Sequence, residues 1–234
     1  MTAVDGAASP AWNSQAEDIL CRELALLKLS PLTEQQKQQF AIYANFLVAY
    51  NRKVNLTRIT DPVGIALKHF ADSLSILRVI TLTPGMKIID IGSGAGFPGV
   101  PMLIVHPEVE MTLLDATAKR LKFLAELLPL LELRATLLHQ RAEEAERQPH
   151  HRGSYQVAVA RGVASLPRLL EYAIPFLAKG GRFVAPKGPG GAAELLQAQE
   201  ALRRLGARHL LTDTFSLDAT GEPSERQLLV FRRG

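Results

Sequence analysis

The sequence predicts an α/β fold in which helices precede a mostly parallel sheet. Short apolar runs alternate with amphipathic stretches from Pro84 onward, the pattern of parallel strands joined by crossover helices. Before that point the chain carries helical periodicity alone, and the first apolar run leads directly into a turn crowded with glycine, IIDIGSGAGFPG at 88–99. The 234 residues suit one such core with an appendage, because a single core grows to roughly 250 residues before chains divide.

Residues 1–12 are small and polar around Pro10 and are expected to form a flexible tail. Residues 13–82 are expected to be a helical extension. Thr33 with Gln36 forms a capping box, and Phe40, Tyr43, Phe46, Leu47 and Tyr50 recur behind it on one helical face. Asp61 and Pro62 open a further helix carrying Lys68, His69, Asp72 and Leu77. Residues 83–234 form the expected core, with strands at 87–91, 109–115, 134–140, 155–161 and 181–187 and helices at 118–131 and 165–177 between them. A helix over 192–206 then leads to two final strands, ARHLLTDTFSL and RQLLVFRR, whose short connection requires antiparallel pairing.

Composition excludes several classes. Cys21 is the only cysteine, so neither an internal disulfide nor a thiolate metal cluster can form. His150 and His151 lack partners at ligand spacing, and no metal is expected. No stretch reaches the ~18 apolar residues of a membrane span, and the N-terminus has no secretory pattern. A cytoplasmic protein is expected, and a monomer. The net charge of +4 favours a polyanionic partner weakly.

Glycines 92, 94, 96 and 99 after a buried strand imply close approach of a nucleoside-containing ligand to the main chain and to the next helix's N–H groups. A nucleotide-triphosphate loop fails, because Gly99 is followed by Val100 and Pro101 rather than lysine and a hydroxyl residue. GAGFPG at 94–99 does match the dinucleotide pattern, with Asp115 near the expected ribose-binding acid. Asp90, just before the loop, would repel a pyrophosphate yet complement the ammonium and sulfonium of S-adenosylmethionine. Asp115 is also a plausible helix cap. The fold expected is therefore a Rossmann-like, class I S-adenosylmethionine-dependent methyltransferase core, seven strands ending in an antiparallel hairpin, with N-terminal helices.

NLTRIT (55–60), KHFADSL (68–74), DIGSGAGFPG (90–99), LLDATAKRLKFL (113–124), RAEE (141–144), VARGVASL (159–166) and KG (187–188) together resemble the bacterial 16S rRNA guanine-N7 methyltransferase family, RsmG or GidB. The resemblance runs from about residue 33 to the C-terminus. It implies methylation of N7 of a guanine in the decoding-region loop of 16S rRNA, with S-adenosylmethionine as cofactor and 16S rRNA or the small ribosomal subunit as partner. It also implies cofactor contacts at Gly92, Gly94, Phe97, Asp115, Ala142, Glu143 and Arg161. Phe97 read alone could be a hydrophobic contact, Glu143 an acid at a helix start and Arg161 a surface cation.

Guanine N7 carries an in-plane lone pair that attacks a methyl carbon without a general base, so no catalytic residue is assigned. The fourth strand ends in VARGVA, which lacks the Asn/Asp-Pro-Pro-aromatic motif of amino-group methylation, and Cys21 lies far from the loop in sequence. RNA contacts are expected at Lys53, Arg58, Lys68, His69 and Lys187, around the carboxyl end of the sheet. Lys68 with Asp72 could instead be an ion pair, and His69 a packed residue. A nicotinamide-dependent oxidoreductase and a non-catalytic ribosome-assembly factor are the competing functions.

Overall fold

The structure, a computed structural model, describes residues 12–234. The expected tail lies outside the described residues except for Trp12, which corrects its boundary. Trp12 is buried, its ring 5.4 Å from that of Phe70. Its backbone N–H donates to Asn45 Oδ1 at 3.1 Å. An indole can bury more apolar area than almost any other side chain, which ties the chain down here.

Helix α1 (Ser14–Leu26) is capped by Asn13, whose side chain accepts from Ala16 N–H at 2.9 Å. Helix α2 (Glu34–Val54) begins with the expected capping box: Thr33 Oγ1 accepts from Gln36 N–H at 3.2 Å and Gln36 Oε1 from Thr33 N–H at 2.9 Å. It stops where Asn55 turns left-handed, at φ 37°. A third helical segment, α3 (62–78), starts at Asp61, whose carboxylate accepts from Gly64 N–H at 2.6 Å. Its central stretch, Ile65–Ala71, is wound as a π-helix. Such windings concentrate at functional sites, and this one carries Lys68 and His69.

The core alternates strands and helices: β1 (Lys87–Ile91), α4 (Gly99–Val105), β2 (Glu110–Asp115), α5 (Ala118–Leu130), β3 (Thr136–His139), α6 (Ala142–Ala145), β4 (Tyr155–Val159), α7 (Leu166–Ala173), β5 (Leu177–Lys187), α8 (Gly191–Gln197), α9 (Gln199–Arg204), β6 (Ala207–Leu217) and β7 (Ser224–Arg233). The sheet order is β3-β2-β1-β4-β5-β7-β6. Strands β1 to β5 are parallel, and β7 pairs antiparallel with both β5 and β6. Strand β5 starts four residues before the expected Gly181, because Leu177 already pairs with Tyr155 ahead of a bulge. Helix α7 accordingly ends at Ala173, and Pro175 lacks the N–H to extend it. The helix expected over 192–206 is broken at Ala198.

Side chains alternate between two apolar layers. Ile88, Val157, Val184 and Val230 face α1 to α5, packing against Leu24, Phe40, Phe70 and Leu124. Ile89, Ala158, Phe183 and Phe231 face the other way, against Leu166, Leu170 and Leu202. The N-terminal helices therefore cover one sheet face and share its core. That packing carries α3 to the carboxyl tips of β1 and β4. No helix among the described residues is long and apolar enough to cross a membrane.

Candidate functional site

Strand β1 delivers Asp90 and Ile91 into the glycine loop. Gly92 has φ +72°, and a Cβ added there would lie 2.6 Å from Val163 Cγ2, so only glycine fits. At Gly99 the obstruction is internal, since an added Cβ would meet Asp90 Oδ2 at 2.8 Å. That same oxygen accepts from Gly99 N–H at 2.8 Å and fastens the end of the loop to β1. Asp90 is fully buried, and its Oδ1 has no hydrogen-bond partner. Burial pushes its carboxyl up to about 7, against the Gly99 hydrogen bond and the Arg161 charge, which favour ionisation, while Asp115 adds to the rise.

Strand β2 ends at Asp115. Its Oδ2 accepts from Gly94 N–H at 2.9 Å and its Oδ1 from Thr117 N–H at 2.8 Å, while Arg120 lies 3.3 Å away on the rim. The side chain thus supports both the glycine loop and the turn into α5. A cleft of about 180 Å³ opens beside it, lined by Gly92, Asp115, Gln140, Ala142, Glu143 and Val163 among others. Gln140 Oε1 is buried without a partner. Glu143 bridges to Arg168 at 3.3 Å across the surface. Ligand pockets commonly exceed ~300 Å³, and Val163 leaning on Gly92 narrows this cleft below that size.

The tip of β4 holds Arg161, only 17% exposed. Its guanidinium donates to Asp72 Oδ2 at 2.7 Å and to Lys68 carbonyl oxygen at 2.8 Å, and lies 5.3 Å from the Phe97 ring centre. Asp72 Oδ1 accepts from Arg226 of β7 at 2.9 Å. Arg161 is thus no surface cation, and Asp72 pairs with two arginines rather than with Lys68. Phe97 stacks on His69 at 4.3 Å and on Tyr43 at 5.3 Å. Burial first, then the Arg161 charge, lowers His69 to about 4. The neutral ring accepts from Arg161 at Nδ1 (3.3 Å), which leaves Nε2–H to donate to Thr57 Oγ1 at 2.9 Å. Asn51 in turn holds Thr57, accepting its N–H and donating to its carbonyl oxygen, both at 2.9 Å.

The expected cofactor residues Gly92, Asp115, Ala142 and Glu143 line one cleft. Gly94 joins them through its hydrogen bond to Asp115, whereas Phe97 and Arg161 stand in the adjoining aromatic cluster. Of the expected RNA contacts, Lys53, Arg58 and Lys68 are exposed. The other two are turned inward. His69 is buried, and Lys187, 12% exposed, spends its ammonium on Glu194 at 2.8 Å and on Ala164 carbonyl oxygen at 3.3 Å. Sequence reasoning did not assign Asp72, Arg226, Tyr43, Gln140 or Val163 to the site. Tyr43, Asp72 and Val163 gave a signal, the first on an apolar helical face and the others inside KHFADSL and VARGVASL. Among the described residues no group of three or more His, Cys, Asp or Glu side chains is arranged to hold a metal ion.

The sequence profile of the family described as GidB, rRNA small subunit methyltransferase G, matches residues 36–225. The chain belongs to this family. Relatives within it, each named ribosomal RNA small subunit methyltransferase G, include that of Desulfitobacterium hafniense, 47% identical over 82% of this chain and 79% of its own length. The protein of Halalkalibacterium halodurans is 41% identical, over 86% of this chain and 84% of its own. Among solved structures, P. horikoshii TYW2 in complex with MeSAdo superposes with a TM-score of 0.52 at 13% identity, over 69% of this chain and 61% of that one. The [4+2]-cyclase SpnF gives 0.53 at 16% identity, over 70% and 80%. These likenesses are of fold alone, the class I methyltransferase fold, and a cyclase among them illustrates that fold does not fix reaction.

Proposed function

We propose that this family member transfers the methyl group of S-adenosylmethionine to N7 of a guanine in the decoding-region loop of 16S rRNA, in the cytoplasm, on the rRNA or the small subunit. Membership of a family described by small-subunit rRNA methylation supports the reaction class. The observation that carries the donor assignment is Asp90: a buried carboxylate with a bare oxygen behind the glycine loop favours a cationic ligand and disfavours a pyrophosphate.

The residues fit that donor. Gly92 and Gly94 would take its amino-acid end along the main chain, Asp115 its ribose hydroxyls, and Gln140, Ala142 and Glu143 its adenine. Phe97 and Arg161 would support the loop from below. When bound, the sulfonium supplies an electrophilic methyl group. The chain's task is then to orient the acceptor and exclude water, because N7 needs no proton removed before attack. Two titratable groups beside the loop, His69 and Asp90, agree with this division. His69 has both ring nitrogens committed, and Asp90 is sealed behind the backbone.

The test is transfer of labelled methyl from S-adenosylmethionine to small ribosomal particles from a strain lacking the modification, followed by nucleoside analysis. Label in N7-methylguanosine is expected. Label in another nucleoside, or none at all, would overturn the assignment.

A further inference from the structure

At the opposite end of the sheet from the cleft, three arginines stand directly across from one another on adjacent strands. Arg182 of β5 pairs with Arg232 of β7, and Arg232 pairs with Arg208 of β6. Residues opposite in register point to the same face, here the one that carries Val184 and Val230 further along. All three are exposed, and so is the neighbouring Lys179. Strands lie ~4.8 Å apart, so the three guanidinium stems span about 10 Å.

Among the described residues, no carboxylate lies within ion-pair distance of Lys179, Arg182, Arg208 or Arg232. Arg78, Arg161, Arg168, Arg204 and Arg226 each have an acidic partner, and the unpaired arginines outside the ladder are not set opposite one another in the sheet register. A hollow of about 420 Å³ lies against this ladder, lined by Lys179, Arg208, Arg232 and Arg233 with no acidic side chain. Arg233 is committed inward to the carbonyl oxygens of Pro175 and Leu177, which leaves the other cations free. Like charges directly opposite in a sheet are destabilising. A row of three with no acidic side chain in ion-pair contact is a cost to the folded state that an external polyanion lowers.

We infer that the Arg182–Arg232–Arg208 ladder is a second RNA contact, which grips the sugar-phosphate backbone of the rRNA outside the methylated loop. The inference rests on the proposed rRNA substrate and extends it to a surface remote from the cleft. Lys187 marks the carboxyl end of β5, five residues beyond Arg182, so the two ends stand about 16 Å apart at ~3.3 Å per residue. The ladder reads no base, since an open row of guanidinium groups contacts phosphates and positions the nucleic acid without specifying sequence. Spaced cations on an open face suit a chain of phosphates better than one small anion, which would be wrapped by a closed pocket.

The test is the triple variant Arg182→Gln, Arg208→Gln, Arg232→Gln in the full chain, assayed on small ribosomal particles. KM for the particle should rise about tenfold or more, with kcat and calorimetric affinity for S-adenosylmethionine unchanged. The slope of log K against log salt for particle binding should fall by about 2 to 3, near 0.9 for each phosphate no longer neutralised. The Arg→Lys triple variant, which keeps the charge, should recover most of the binding. Unchanged KM and salt slope in the Gln variant would overturn the inference, as would loss of binding only to vesicles containing phosphatidylserine. If the wild-type chain methylates no particle, the functional reading fails separately, and the salt slope of binding still decides the ladder.

Discussion

The carboxyl tips of β1 and β2 carry the same side chain in different surroundings. Asp115 on β2 accepts from two backbone N–H groups and has Arg120 on its rim, whereas Asp90 on β1 has one N–H partner, a bare oxygen and no solvent. Asp90 is pushed up to about 7, chiefly by that burial. A satisfied carboxylate holds a turn in shape. A desolvated one with spare acceptor capacity leaves an electrostatic demand that a ligand's cation can meet. Asp72 is the third case, buried like Asp90 but held between Arg161 and Arg226.

The largest expected effect comes from adding another carboxylate between the two tips. Gly92→Asp puts a side chain where Val163 already stands and should lower donor affinity by more than about 100-fold, read by calorimetry, since near 3 kcal/mol of overlap and repulsion is a modest demand at this density. Asp72→Ala removes the shared partner of two largely buried arginines. It should cost about 3 kcal/mol in denaturant unfolding, where an exposed ion pair would cost under about 1.

Asp90→Asn is the sharpest test of the comparison, because it keeps the shape and deletes the demand. Donor affinity should fall about tenfold, equivalent to ~1.4 kcal/mol. The pH dependence has a definite sign. With its folded value raised, Asp90 contributes stability that is present below the unfolded carboxylate range and lost as pH rises towards about 7. Donor affinity in the wild type should therefore climb as pH rises through about 7 and level off, and the Asn variant should show no climb. An unchanged profile in that variant would remove Asp90 from the account.

The smallest effect lies at His69, and its sign is opposite. Its folded value is lowered to about 4, so its contribution is present above the unfolded histidine range and is lost as pH falls towards 4. Between these limits the two groups oppose each other in the wild-type melting profile. His69→Gln should flatten the acid side by a few degrees at most, and a steeper acid loss in that variant would contradict the buried neutral ring.

How much of this was legible in the sequence depended on range. The capping box at Thr33, the Asp61 cap, the β1 strand and the loop glycines are set by neighbours within a few residues, and each stands where its pattern puts it. The terminal hairpin followed from connection length alone. The cluster of Asp72, Arg161 and Arg226 joins residues from three distant segments, and nothing in a carboxylate's local sequence says which arginine it will meet. Lys187 looked like a free cation for the same reason, its partner Glu194 lying one helix turn into α8. Trp12 was illegible, and so was the contact of Val163 with Gly92, because what they cover, Phe70 and Gly92, is brought there by packing.

The most direct measurement is calorimetric titration of the full chain with S-adenosylmethionine and, separately, with NAD, at pH 6 and pH 8. The account predicts saturable one-site binding of S-adenosylmethionine, tighter at pH 8, with none for NAD. Binding of NAD in its place, or S-adenosylmethionine affinity indifferent to both pH and Asp90→Asn, would contradict it.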